Sequence, residues 1–188
     1  MDIVFNFWLG VAVISIIGTL AHFVYDWTHH NKILGLFVAV NESVWEHIKI
    51  AITPTLLWSL YDGIIYGIYP NYFLGKFLSL LVLVVLMPTL FYLYEKFLKR
   101  DILLLNIAIF YISIMFSQLV FYVIICQSPI SSLAQYLSCL GTFVFFGAYM
   151  TLTLKPLKNI IFKDPITGKY GFRGHAHHFK IKKPSQKK

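Results

Sequence analysis

The chain has 188 residues, of which 58% are hydrophobic and only 13% charged, and its mean hydropathy is +0.71. A soluble domain carries about 25% charged residues, so this composition excludes an ordinary water-soluble fold. The formal charge of +8 is lopsided: residues 155–188 hold ten Lys/Arg against the single acid Asp164, whereas 1–154 hold six against seven acids.

The apolar residues fall into long runs, and runs of roughly 18 or more read as bilayer-spanning helices. The expected fold class is therefore all-α, a polytopic transmembrane bundle of about five spans. Met1–Trp8 lacks the basic segment of a signal peptide, so the first apolar run is expected to be kept as a span. That span covers about Ile3 to Tyr25 and ends in the polar "DWTHHNK", with Trp27 suited to a membrane interface. Ile33 to Val40 is apolar but too short to cross. Asn41 is a good N-cap, with Glu42 at the first helical position, which predicts a second helix from Asn41 to about Leu60, bent at Pro54. Tyr61–Gly75, rich in Tyr, Gly and Pro, reads as an interfacial loop. The remaining spans are expected at about Phe73–Tyr94, Ile102–Cys126 and Ile130–Leu154.

"KFLKR" and the basic tail both favour the cytoplasmic side, which predicts N-out and C-in. The division is then a transmembrane domain, 1–154, and a cytoplasmic tail, 155–188. Within the tail, "NIIFKDPITGKYGF" sets β-prone residues on either side of Asp-Pro-x-x-Gly and predicts a small hairpin, with a frayed basic end from about Lys180. The tail's charge suits anionic lipid headgroups. It carries no nucleic-acid recognition motif, so nucleic acid is not an expected partner. Cys126 and Cys139 show no metal or redox spacing and read as packing residues.

The informative stretch is "VNESVWEHIK", Val40–Lys49, which sets two carboxylates, an imidazole and an ammonium amid hydrocarbon. On a helix starting at Asn41, Glu42, Trp45, Glu46, Lys49 and Thr53 share a face, with His47 about 100° from Glu46. In the first span His22 and Asp26 stack four apart, joined by His29 if the helix persists or by His30 if it stops. If the two segments are neighbours, these groups converge near the cytoplasmic side. Such groups are costly in a bilayer unless paired, hydrated or metal-bound.

Three uses compete. A divalent metal (zinc, iron or manganese) would take His22, Asp26, Glu46 and His47 as ligands, with Glu42 and Glu46 as the catalytic carboxylates. The same groups would relay protons or ions in a small transporter. In the third use, Glu42 caps its helix, Glu46 pairs with Lys49, and the protein is a scaffold whose tail docks a partner. Weaker candidates are the tail histidines His175, His177 and His178 as a metal tract, and the polar residues Asn106, Ser113, Ser117, Gln118, Gln135, Ser138 and Thr142 as a cavity lining or as interhelical hydrogen-bonding groups.

"HFVYDW…VNESVWEHIK…P", followed by apolar spans and "FKDPITGKYG", resembles an uncharacterised family of small bacterial polytopic membrane proteins with a NESVWEH-type motif. The resemblance implies an integral membrane protein and a motif containing His22, Asp26, Asn41, Glu42, Trp45, Glu46 and His47. It implies no activity. The residues themselves favour a multi-pass protein of the cell membrane that hydrolyses a lipid or lipid-linked substrate through a bound metal.

Overall fold

The computed structural model describes residues 2–67 and 69–175. Five long helices follow one another: α1 (Ile3–Trp27), α2 (Val44–Tyr66), α3 (Tyr72–Leu98), α4 (Leu103–Ile125) and α5 (Ser132–Leu154). Each is long and apolar enough to cross a membrane, the architecture of a multi-pass membrane protein. The exposed surface agrees, since Ile64, Phe97, Leu103 and Tyr136 are all more than 70% exposed, a pattern that suits hydrocarbon rather than water.

Packing places α2 centrally, against α1, α3 and more lightly α4, while α3 pairs extensively with α4 and α5 lies at the edge on α3. The buried stripe of α1 is Asn6, Gly10, Ile14, Gly18, Ala21 and Tyr25, small residues at helical spacing that let two backbones approach. At Gly18 the reason is specific. A Cβ there would sit 2.7 Å from the carbonyl oxygen of Ile50, which is the acceptor that Pro54, lacking an N–H, leaves unbonded inside α2. The α1 backbone therefore covers a carbonyl that would otherwise face lipid.

Two buried ion pairs lie near opposite ends of α2, and all four charged residues are at most 2% exposed. At the start of the helix Lys49 Nζ is 2.6 Å from Glu46 Oε2. Near its end Asp62 pairs with Lys76 of α3. Tyr122 donates to Asp62 Oδ1 (3.3 Å), and the Lys76 ammonium stands 3.5 Å over the Phe121 ring, a cation–π contact in a dry site. The neighbouring loop is tied down by Asn71. Its amide nitrogen donates to the carbonyls of Gln127 and Ser128 (3.0 Å each) and its oxygen accepts from Ile130 N (3.0 Å).

Several expectations are corrected. The second helix starts at Val44, with Ser43 at the N-cap position, because Asn41 turns its side-chain oxygen to Ser43 N (2.8 Å) and its amide to Gly171 O (2.9 Å). It ends at Tyr66 rather than Leu60, so "YDGIIY" is helical and Asp62 lies within a helix long and apolar enough to cross a membrane. The tail hairpin reduces to a turn: Gly168, at φ 71°, donates to Asp164 O, and a single antiparallel bridge joins Lys163 to Tyr170. No strand forms among the described residues. Lys180 and the residues around it lie outside those described. Both cysteines are free thiols. Of the polar residues on α4 and α5, Ser117 bonds across to Ser79 O (2.9 Å), whereas Ser138 and Thr142 bond within their own helix.

Removing one partner of a buried pair strands the other charge, at a cost of about 3–5 kcal/mol, while replacing both with apolar residues is often neutral. Asp62→Leu should lower the thermal midpoint of the detergent-solubilised protein by many degrees. Asp62→Leu combined with Lys76→Met should recover most of it, as read by intrinsic fluorescence on heating.

Candidate functional site

The site is built at the end of the bundle where α1 stops and α2 begins. α1 ends at Trp27, and the chain reverses through His29 (φ 51°) and His30 (φ 62°). Left-handed conformations cost non-glycine residues on the order of 1–2 kcal/mol each. The reversal is held by His30 N donating to Tyr25 O (2.9 Å) and Thr28 N donating to Val24 O (2.9 Å). Its effect is to fold His30 back beside Asp26, with its Nε2 3.2 Å from Asp26 Oδ1. His29 is exposed and does not join.

Residues 31–43 must then return to α2 with no long element of their own. They form one 3₁₀ turn, Leu34–Leu36, and a buried run, Val38–Ser43 except Glu42. The Glu46–Lys49 pair satisfies two of their backbone groups: Lys49 Nζ donates to Gly35 O (2.8 Å) and Val40 N donates to Glu46 Oε2 (3.0 Å). Glu46 in the first turn also suits the positive end of the α2 dipole.

Glu42, two residues before α2, points to a different place. Its oxygens lie 3.5 Å from His22 Nε2 and 3.8 Å from His47 Nε2, and the two imidazole rings are 5.5 Å apart. This is the first group, His22, Glu42 and His47. Asp26, His30 and His175 form a second, in which His175 Nε2 is 3.1 Å from Asp26 Oδ1 and the His30 and His175 rings are 4.4 Å apart. Within each group the ligand-type atoms all lie within 4.8 Å of one another. Both groups face a cleft of about 270 Å³ lined by His22, Phe23, Tyr25, Asp26, Ala39, Val40, Asn41, Glu42 and His175.

The tail supplies His175 because it is folded onto this end of the bundle. Asp164 is fully buried; its Oδ1 accepts from Glu42 N (3.0 Å) and its Oδ2 from Thr167 N and Oγ1 (2.6 Å each). Phe162 packs on Trp45 with ring centroids 4.8 Å apart, and Phe172 lies 6.0 Å from Tyr25.

Two imidazoles have their tautomer set by backbone. His47 Nδ1 is 3.0 Å from Ser43 O and His175 Nδ1 is 3.0 Å from Val40 O. A carbonyl only accepts, so Nδ1 carries the hydrogen in both rings, and Nε2 is the atom turned to a carboxylate. A neutral ring would set lone pair against lone pair there. A proton or a metal cation between the two removes the repulsion, and an imidazole whose other nitrogen donates to a carbonyl is the usual arrangement of a metal-ligating histidine. A tetrahedral ion with bonds of about 2.0–2.1 Å holds its ligand atoms about 3.4 Å apart. The four imidazole–carboxylate separations, 3.1–3.8 Å, lie on either side of that value.

Of the sequence-predicted site residues, His22, Glu42 and His47 come together, Asp26 joins the second group, and Glu46 joins neither. The face argument grouped Glu46 with Glu42 because it started the helix at Asn41. With the start at Val44, Glu42 is free of the helical phase and turns to the imidazoles. His175 was weighed only as part of a solvated tract with His177 and His178, and the latter two lie outside the described residues. The signal that places it is the Asp-Pro-x-x-Gly turn, which carries the tail back toward α2.

Residues 4–172 match the model of a family of unknown function (DUF6512), and the chain belongs to that family. No curated protein and no solved structure matches it.

The position of Glu46 separates a folding role from a ligand role. Glu46→Gln should lower the thermal midpoint in detergent while leaving any bound metal at its wild-type stoichiometry. Loss of metal at unchanged thermal stability would reverse that assignment.

Proposed function

We propose that this protein is a membrane-embedded, divalent-metal-dependent enzyme that hydrolyses a lipid or lipid-linked substrate at the cytoplasmic end of its bundle. In this reading the chain lies N-out and C-in in the cell membrane, because its basic loops and tail favour the cytoplasmic side. The observation that carries the proposal is the pair of oriented imidazoles: His47 and His175 each spend Nδ1–H on a carbonyl and turn Nε2 to a carboxylate oxygen.

His22, Glu42 and His47 would hold the ion, offering three ligands and so leaving a position for water or substrate. Bound there, zinc, iron or manganese supplies a Lewis acid and lowers the pKa of bound water. Asp26, flanked by His30 and His175, would serve as the general base in this reading. The cleft wall explains the choice of substrate class. Phe23, Tyr25, Ala39 and Val40 line it beside the polar groups, and Phe23 and Trp27 are exposed at the rim. An amphiphile entering from the bilayer boundary would meet an apolar wall with its chains and the ligand groups with its polar end.

Elemental analysis of the detergent-purified protein tests the reading. It should show at least one equivalent of a transition metal, falling at least tenfold in His47→Ala and in Glu42→Gln. Asp26→Asn should retain the first ion while lowering hydrolysis of a lipid ester or phosphoester by about 10²–10⁴-fold, the usual share of general-base catalysis. Folded protein that binds no zinc, iron or manganese at micromolar concentration would overturn the proposal.

A further inference from the structure

A second concavity lies on the other side of the tail segment that carries His175. It is a groove of about 920 Å³ lined by Thr153, Leu154, Pro156, Lys158 and residues 168–173. Three cations border it: Lys158, Lys169 and Arg173. All three are exposed, and none is ion-paired with an acid among the described residues. The segment's one acid, Asp164, cannot neutralise them, since it is buried and committed to Glu42 N and Thr167. The turn enforces the geometry. Gly168 takes φ 71° and Lys163 bridges to Tyr170, which sets Lys169 and Arg173 on the groove wall. The larger uncharged side chains of the lining are Leu154, Pro156, Tyr170 and Phe172, with Thr153, Gly168 and Gly171 completing it.

Position decides what such a groove meets. It begins where α5 ends, at Leu154, so its mouth lies at the level where a bilayer changes from acyl chain to headgroup. Leu154, Leu157 and Ile160 beside it are more than half exposed. Exposed hydrocarbon below and uncompensated cations above match the two ends of an anionic phospholipid. Arg173 offers a planar fork that suits phosphate oxygens, and lysines add point charge.

We propose that this groove binds the phosphate headgroup of an anionic phospholipid from the surrounding leaflet. The inference does not rest on the metal reading. It bears on that site through one wall, because Gly171 O accepts from Asn41 and Phe172 packs on Tyr25. A lipid seated in the groove therefore braces the segment that delivers His175.

The test uses the full chain in a neutral detergent. Phosphatidylglycerol added to micelles should raise the thermal midpoint by several degrees, while phosphatidylcholine and inorganic phosphate at equal concentration should leave it unchanged. The increment should vanish in the triple variant Lys158→Ala, Lys169→Ala, Arg173→Ala and persist in Lys180→Ala, Lys182→Ala, Lys183→Ala. Because the three groove cations make no ion pair with an acid among the described residues, the first variant should keep the wild-type midpoint in detergent alone. An increment that survives in it, that phosphatidylcholine reproduces, or that inorganic phosphate supplies in full would overturn the proposal. Metal content measured in the same samples keeps this outcome separate from that of the proposed enzyme site.

Discussion

The Glu46–Lys49 pair is the interaction on which this end of the molecule depends. Sixteen residues, 28–43, connect α1 to α2, and their buried run, Val38–Ser43 except Glu42, has neither helix nor strand to satisfy its backbone. A buried amide or carbonyl left without a partner costs about 1–3 kcal/mol, more in hydrocarbon. Lys49 meets the carbonyl of Gly35 and Glu46 meets the amide of Val40. Each side chain thus neutralises the other and closes one open group of the connection. Charges in a membrane protein usually suggest transport or catalysis; these two are better understood as the substitute for a missing secondary structure.

Once that connection is held, the rest of the site follows from chain direction. α1 delivers His22 and Asp26 on one face, four residues apart, and its left-handed reversal returns His30 to Asp26. The connection delivers Glu42 outside the helical phase of α2, and the first turn of α2 delivers His47. The tail contributes His175 and, through Asp164, caps the amide of Glu42. Four pieces of chain therefore meet around one cleft: α1, the connection held by Glu46 and Lys49, the first turn of α2, and the tail held through Asp164.

Much of this was legible in the sequence. Five apolar runs of sufficient length predicted five spanning helices, and the spacing of His22 and Asp26 placed both on one face. The proximity of Glu42 and His47 to that face was also readable. What was not legible depended on where helices stop. Whether His29 or His30 joins Asp26 turns on a helix ending at Trp27, and nothing local forbids one more turn. Asn41 has the chemistry of an N-cap but spends its side chain on Ser43 and Gly171, a partner 130 residues away. Asp62 sits in a Tyr, Gly and Pro-rich stretch that resembles a loop, and only its tertiary partner Lys76 reveals a helix. Long-range pairing, not propensity, settled the last two.

The placement of the two ion pairs has a consequence for the lipid as much as for the protein. Glu46 and Asp62 are sixteen positions apart on one helix, which is about 24 Å of rise, close to the thickness of a bilayer's hydrocarbon. Near each end of α2 a buried ion pair ties the helix to its surroundings, and breaking either pair would strand a charge. This central helix is thus a strut of set length that neither slides nor shortens. A membrane thicker or thinner than that strut must itself deform around it, or be met by tilting of the outer helices, of which α5, held mainly by α3, is the least constrained.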